Sequence, residues 1–137
     1  MPPIYIPPSS GFTDLSGAPV SALAATPVLA GVNTGRVDVA VPVLASATWA
    51  AFYVTTSKVG AGAGDLGPNF IAIFDDSGFN PIGTNTINCG AAVGVSGSSH
   101  SIVWVNISAN PQPLGYQVNN TNGSSTITLT INVYGYL

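Results

Sequence analysis

Residues 126–134 read Thr-Ile-Thr-Leu-Thr-Ile-Asn-Val-Tyr, and this stretch decides the fold class. Apolar and polar side chains alternate along it with a period of two, which is the pattern of a β-strand with one buried face. The side chains predicted to face the core are Ile127, Leu129, Ile131 and Val133. Those predicted on the opposite face are Thr126, Thr128, Thr130, Asn132 and Tyr134.

Upstream of this strand, the chain from residue 36 onward consists of short strand-like segments separated by turn signals. The glycine-rich run at 60–68 and Asn122-Gly123 predict a loop and a hairpin turn. Pro42 predicts an edge strand or a bulge, and the alternation at 101–107 predicts a central strand. The strand-like segments are 37–43, 49–56, 69–74, 84–95, 101–107 and 116–119. Seven or eight strands of this kind predict a single antiparallel β-sandwich, of jelly-roll or immunoglobulin-like topology.

Residues 1–35 differ from the predicted sandwich domain at 36–137. They hold six of the eleven prolines, and their apolar residues follow neither the helical period nor the strand period. We therefore expect an extended Pro-rich N-terminal arm, although a short helix at 21–25 also fits. The arm is either an ordered clamp, lying on its own domain or on a neighbouring subunit, or a disordered leader. Its candidate assembly contacts, together with two from the C-terminal end, are Ile4, Tyr5, Ile6, Phe12, Leu15, Tyr134 and Tyr136.

The composition excludes several functional classes, because the 137 residues include two basic and five acidic side chains and no Glu. Two cations cannot neutralise enough phosphates for nucleic-acid binding. Acidic disordered tails need high charge with low hydrophobicity, and helical bundles need charged helix formers. No apolar run reaches the roughly 18 residues of a membrane helix, so we expect no membrane partner. A polar, uncharged surface suits contact with other subunits.

Residues able to carry catalysis or bind a metal are few. His100 is the single histidine and no Gly-x-Ser-x-Gly motif occurs, so a hydrolase centred on His100 ranks last among the functions considered. Cys89 and His100 cannot supply the ligands of a zinc site. Calcium at Asp65, Asp75 and Asp76 stays an alternative, although their spacing is unlike an EF-hand loop. We expect no enzymatic activity and no cofactor.

The beginning of the sequence lacks the basic residues of a secretory signal peptide, and we expect a protein that is not secreted by that route. The single Cys89 cannot form an internal disulfide, which suits a cytoplasmic compartment.

Residues 54–84 have the order strand, loop, strand and turn. The succession is Val54-Thr55-Thr56, a Gly/Ala loop ending in Gly67-Pro68-Asn69, then residues 70–78 and Ile82-Gly83-Thr84. It resembles the β-sandwich modules of tailed-phage virion proteins, including decoration, fibre and minor tail proteins. The resemblance implies a non-enzymatic subunit that assembles on a phage particle in the host cytoplasm.

This resemblance and the composition together predict a capsid cement or decoration protein that binds the major capsid protein and itself, with trimers suiting the local three-fold axes of a capsid. Deleting residues 1–30 is then expected to weaken attachment more than it destabilises the sandwich. The alternative is a fibre head or carbohydrate-binding module that recognises glycans. Its platform residues would be Trp49, Tyr53, Tyr116 or Tyr134. Exposed flat rings favour glycan binding, whereas rings buried in the core or at subunit contacts favour assembly.

Overall fold

A computed structural model describes residues 11–42, 44, 47–59, 69–75, 81–87, 96–107, 114–121 and 125–137, with the backbone alone at 59, 69–75, 81–87 and 96. Every regular element within these residues is a β-strand, so the chain is all-β, as predicted. The strands are β1 (Thr13–Asp14), β2 (Val20–Val28), β3 (Val37–Val39), β4 (Trp49–Val59), β5 (Asn69–Asp75), β6 (Pro81–Ile87), β7 (Ser96–Asn106), β8 (Leu114–Asn119) and β9 (Ile127–Tyr136).

The strands form two antiparallel sheets. The first has the order β1-β9-β4-β7, with β2 also paired to β9, and the second has the order β3-β8-β5-β6. Strand β2 pairs with β9, β3 with β8, β4 with β7, and β5 with β6. These four pairs make up a two-stranded ribbon. The pairings of β4 with β9 and of β5 with β8 hold successive turns of the ribbon side by side. A ribbon of four antiparallel strand pairs wound in this way is a jelly roll, which decides between the two predicted topologies.

The hydrophobic core lies between the two sheets and contains the predicted inward face of β9. Ile127, Leu129, Ile131 and Val133 are all fully buried, which confirms the faces assigned from the alternation. They pack with buried side chains of β4, β7 and β8, namely Ala50, Phe52, Val54, Val103, Val105, Leu114, Tyr116 and Val118. Burying one such large apolar side chain contributes about 1.5–3 kcal/mol.

Strand β2 corrects the predicted domain boundary at residue 36. It forms nine residues of sheet inside the segment assigned to the arm, and its last residue, Val28, belongs to the core. The prediction of a short helix at 21–25 is wrong, because these residues lie in β2. Pro27 pairs with Thr128, and the β2–β9 register shifts twice. A proline and irregular pairing are tolerated in β2 because it is an edge strand, which is also why its sequence lacks the period of two.

Hydrogen bonds tie the end of β2 to the rest of the domain through Asn120. The Asn120 side-chain amide is fully buried and donates to the carbonyl oxygens of Val28 at 3.0 Å and Ser125 at 2.9 Å. The backbone amide of Gly31 donates to the Asn120 carbonyl oxygen at 3.0 Å. Of the alternatives for the N-terminal segment, packing along its own domain therefore describes residues 11–35.

Two other strand predictions have different outcomes. Residues 101–107 were expected to form a central strand, but β7 lies at the end of the first sheet as described here, so that prediction is wrong. Strand β3 ends at Val39 and is an edge strand, in agreement with the prediction from Pro42. The predicted loop at 60–68 and the hairpin turn at 122–123 lie outside the described residues.

Candidate functional site

A β-bulge at the end of β9 determines which aromatic side chains point away from the core. Ala51 of β4 pairs with Gly135, and the next residue, Phe52, pairs with Val133, so Tyr134 is an extra residue in β9. A bulge of this kind reverses the alternation of faces beyond it. Tyr134 follows the inward-facing Val133 and lies on the outer surface, where its ring stacks on that of Tyr53 at 4.5 Å between centroids. Tyr136, by contrast, packs against the core.

Large apolar side chains share the outer surface of the first sheet at this end. Trp49 pairs with Leu137, since each backbone amide donates to the other residue's carbonyl oxygen. Opposite Ala51 and Tyr53 on β4 lie Trp104 and Ile102 on β7. Paired residues in a sheet point to the same side. We call this surface the aromatic face, formed by Phe12, Trp49, Tyr53, Ile102, Trp104, Tyr134 and Leu137.

Phe12 lies directly before β1, and its side chain reaches the aromatic face. Strand β1 pairs with the last residues of β9, and Leu15 continues the contact by donating its backbone amide to the Tyr134 carbonyl oxygen at 2.7 Å. The Phe12 ring lies over Gly135, where a Cβ atom would collide with it. The same ring is 5.9 Å from the ring of Trp104, measured between centroids. Gly135 thus provides the space that seats Phe12 on the sheet.

The aromatic face is exposed to an extent that is uncommon for large apolar side chains. The exposed fractions are 54% for Ile102, 46% for Trp104, 42% for Trp49, 41% for Phe12 and 40% for Leu137. Single exposed apolar residues are ordinary, whereas a contiguous group of this kind on one surface is a candidate interaction site. Tyr53 and Tyr134 are half-buried members of the same face, and their rings stack on each other.

The electrostatic character of this surface is close to neutral. Outward positions of β4, β7 and β9 carry no Asp, Glu, Lys or Arg among the described side chains. Asp14 lies at the margin, opposite Gly135, and the backbone amide of Ser16 donates to its carboxylate at 2.8 Å, which lowers the Asp14 pKa. Beyond the aromatic face, the same surface continues with hydroxyl, amide and imidazole groups from Thr55, Ser57, Ser98, His100, Thr128, Thr130 and Asn132. Such a surface can bind partners by apolar contact and neutral hydrogen bonds.

The structure brings together some of the predicted contact residues. Phe12 and Tyr134 lie on the aromatic face, whereas Leu15 and Tyr136 are half-buried against the core. The predicted contacts Ile4, Tyr5 and Ile6 lie outside the described residues.

Among the predicted glycan platforms, Trp49 and Tyr53 lie on the aromatic face. The prediction for Tyr116 is wrong, because this side chain is 5% exposed within the core, where burial raises its pKa. A tyrosine on a strand looks the same in the sequence whether it faces the core or solvent.

Ile102, Trp104 and Leu137 belong to the face but were not among the candidate residues. The available signal was that apolar residues occupy both faces of 101–107. That pattern is typical of a central strand, but it also fits an edge strand with an exposed apolar face.

His100 is exposed, lies opposite Thr55, and has its ring 5.9 Å from that of Tyr53. Among the calcium candidates, Asp75 is the last residue of β5, while Asp65 and Asp76, like Cys89, lie outside the described residues. Within the described ranges, no three His, Cys, Asp or Glu residues gather as a metal site would require. The same ranges contain no helix that is long and apolar enough to cross a membrane.

The sequence matches no known protein-family model and no curated protein. The jelly-roll topology and the aromatic face are therefore the observations from which a function can be proposed.

Proposed function

We propose that this chain is a non-enzymatic structural subunit that attaches to a larger protein assembly through its aromatic face. The observation that carries the proposal is the contiguous group of exposed apolar side chains on an uncharged sheet surface. Interface cores are depleted in charge and enriched in Trp, Tyr and Phe, and this surface has the same composition. A partner that covers it removes five exposed large apolar side chains from water.

In its specific form, the proposal is a capsid cement or decoration protein of a tailed phage that binds the major capsid protein. The resemblance at residues 54–84 supports it, and the jelly roll is an architecture found in viral capsid and lectin domains. Fold alone does not determine function, so the fold adds support only together with the aromatic face. A homotrimer at the local three-fold axes of a shell is the expected assembly.

The test is to remove the exposed apolar groups without disturbing the core. We expect the double substitution Ile102→Ser and Trp104→Ser to leave the domain folded and to weaken shell binding. Truncating a central aromatic anchor costs about 2 kcal/mol or more, so Kd should rise about thirtyfold or more. Cosedimentation with expanded capsid shells gives the affinity, and calorimetry of the shells gives the rise in their melting temperature.

Leu29→Ser is the matched control, because Leu29 is 63% exposed and lies directly after β2 rather than on the aromatic face. It should bind like the unchanged protein. Equal binding by the double variant and this control would contradict the role of the aromatic face. A protein that binds no shell at all would contradict the cement function.

Glycan recognition is the second candidate function, and one observation favours it. Trp49 and Trp104 are both nearly half exposed and lie beside the hydroxyl and amide groups of the same sheet surface. Aromatic rings stack on sugar rings while neighbouring neutral polar groups bind their hydroxyls. Binding of the protein to cell-surface glycans but not to shells, with the glycan binding lost on Trp104→Ser, would select this function over the cement function.

A further inference from the structure

The edge strands of the two sheets, as the structure describes them, differ in how they are protected against pairing with a further strand. Native edge strands are blocked by prolines, charges or bulges, or by being very short. Strand β2 contains Pro27 and its pairing shifts register twice. Strand β3 has three residues and carries Asp38, and β6 begins with Pro81. Each of these three edges therefore has a feature that hinders the addition of a strand.

Strand β7 has none of these features. It has eleven residues, Ser96–Asn106, and contains no proline and no Asp, Glu, Lys or Arg. All eleven residues pair with β4 in one continuous register. Alternate residues of an antiparallel strand direct their N–H and C=O groups to opposite sides of the strand. One set in β7 points to β4 and the other points to the side where the sheet, as described, ends. Strand β7 is therefore a long edge that can accept a further strand.

The outward side chains of β7 make this edge complementary to a second copy of itself. Ile102 and Trp104 are two residues apart on the outer surface, and about half of each side chain is exposed. When two copies of β7 lie antiparallel with Val103 at the two-fold axis, Ile102 of each copy lies opposite Trp104 of the other. Pairs of an aromatic and a β-branched side chain stabilise antiparallel strands, and β7 brings no like charges opposite each other.

The hydrophobic pattern selects this register over its neighbours. A shift by one residue would place outward side chains of one copy opposite inward side chains of the other. A register centred on Ser101 would keep the faces but would place Trp104 opposite Ser98. Only the register centred on Val103 pairs the two exposed apolar side chains of each copy with those of the other.

We propose that two copies of this chain associate through their β7 edges, antiparallel and with Val103 at the two-fold axis. The two first sheets then form one continuous sheet, with both aromatic faces on the same side. Two β7 edges cover each other completely, whereas a single strand added from another protein would present a new open edge. The dimer goes beyond the proposed function, because it concerns the free protein and is separate from the three-fold assembly expected on a shell.

Sedimentation of the full-length protein over a range of concentrations tests the contact. We expect a reversible dimer, and Ile102→Lys should raise its Kd about tenfold or more, because it removes both Ile–Trp pairs and brings two like charges together. Leu137→Lys is the matched control. Leu137 is also exposed on the aromatic face, but it pairs with Trp49 and lies on the side of β4 away from β7. This variant should dimerise like the unchanged protein.

Disulfide cross-linking tests the register, in a background in which Cys89→Ser removes the native thiol. The double variant His100→Cys, Asn106→Cys should give a cross-linked dimer on oxidation, because residue 100 of one copy lies opposite residue 106 of the other. The single variant His100→Cys is the control. It should stay uncross-linked, since the two copies of residue 100 lie six residue steps apart, about 20 Å, beyond the reach of a disulfide.

A protein that sediments as a monomer at every concentration at which it is soluble would overturn the proposal. A trimer would do the same, because a two-fold contact closes at two copies. Equal weakening of the dimer by Ile102→Lys and Leu137→Lys would also contradict it, since the aromatic faces would then be stacked on each other. Cross-linking through His100→Cys alone would reject the register. Shell binding by Leu137→Lys, measured separately, reports on the proposed function while the dimer is intact.

Discussion

Because Gly135 has no Cβ atom, the N-terminal segment can pack closely against the sheet at this position. A Cβ there would lie 2.8 Å from the Thr13 carbonyl oxygen as well as colliding with the Phe12 ring. Glycine is required at this position because the Thr13 backbone and the Phe12 ring come close to it. Its φ is not positive, so the backbone conformation by itself would accept other residues. Gly115 is likewise covered by a side chain, the guanidinium of Arg36. The Arg36 Nε atom forms an ion pair with the Asp38 carboxylate at 3.0 Å.

The substitution Gly135→Ala is expected to displace Phe12 and β1 from the end of β9. Overpacking of this kind destabilises by about 1–3 kcal/mol, which urea unfolding measures. Gly17→Ala is the matched control, since nothing lies within 4 Å of the added Cβ, and its stability should change by less than about 0.5 kcal/mol. The double variant Gly135→Ala, Phe12→Ala lacks the colliding ring and should recover part of the stability that Gly135→Ala loses. Equal stability of Gly135→Ala and Gly17→Ala would show that the ring does not occupy this place.

At the scale of the element, β9 is central to the fold because it pairs with β1, β2 and β4. Its alternating sequence places four large apolar side chains in the core, and the bulge at Tyr134 ends that regularity. The consequence is that one strand supplies both core side chains and Tyr134, which stacks on Tyr53 within the aromatic face. Simple alternation predicts the first part of β9 and fails after the bulge, since a bulge depends on the partner strand and not on the sequence of β9 alone.

Ile131→Asp tests the face assignment within β9. Ile131 is fully buried, so the substitution places an unpaired charge in the core, at a cost of several kcal/mol. Domains of this size are stable by about 5–15 kcal/mol in total, and we expect a variant that is unfolded or insoluble by circular dichroism and sedimentation. Thr130→Asp, one residue away on the outer surface and half-buried, should stay folded. A soluble, stable Ile131→Asp variant would mean that the two faces of β9 are exchanged.

At the scale of the whole molecule, the charged side chains that the structure describes lie outside the aromatic face, with Asp14 at its margin. The aromatic face of the first sheet is neutral, whereas the ion pair of Arg36 and Asp38 lies on β3 and the residue before it, at the edge of the second sheet. Lys58 is buried on the inward side of β4. The aromatic face therefore combines a large apolar group with neighbouring hydroxyl and amide groups, a composition that resembles the cores of protein interfaces.

Deleting residues 1–30 is expected to destabilise the domain strongly, which reverses the expectation from the sequence. The deletion removes β1, β2 and the core residue Val28, and it leaves the edge of β9 unpaired. Deleting residues 1–10 leaves β1 to β9 intact and should leave the melting temperature close to that of the full-length protein. Thermal unfolding of the two deletions measures the contrast. Equal melting temperatures would show that β2 contributes little to the fold.

The sequence alone determined the all-β class, the inward face of β9 and the position of β4, and it limited β3 to an edge strand or a strand with a bulge. These features follow from local alternation, β-branched and aromatic content, and proline, all of which act within a few residues. Local pattern could not reveal that β2 belongs to the sheet or that β7 lies at its end, because edge strands need no period of two and strand order depends on distant pairing.

For the candidate site, the sequence named Phe12, Trp49, Tyr53 and Tyr134 but also included Tyr116, and it missed Trp104. A ring on a strand is exposed or buried according to which surface the opposite sheet covers. Only the jelly-roll pairing of strands far apart in the chain decides this, since it turns Tyr116 into the core and Trp104 to the outside. The tertiary structure therefore decided which of the predicted aromatic residues form a surface that a partner can reach.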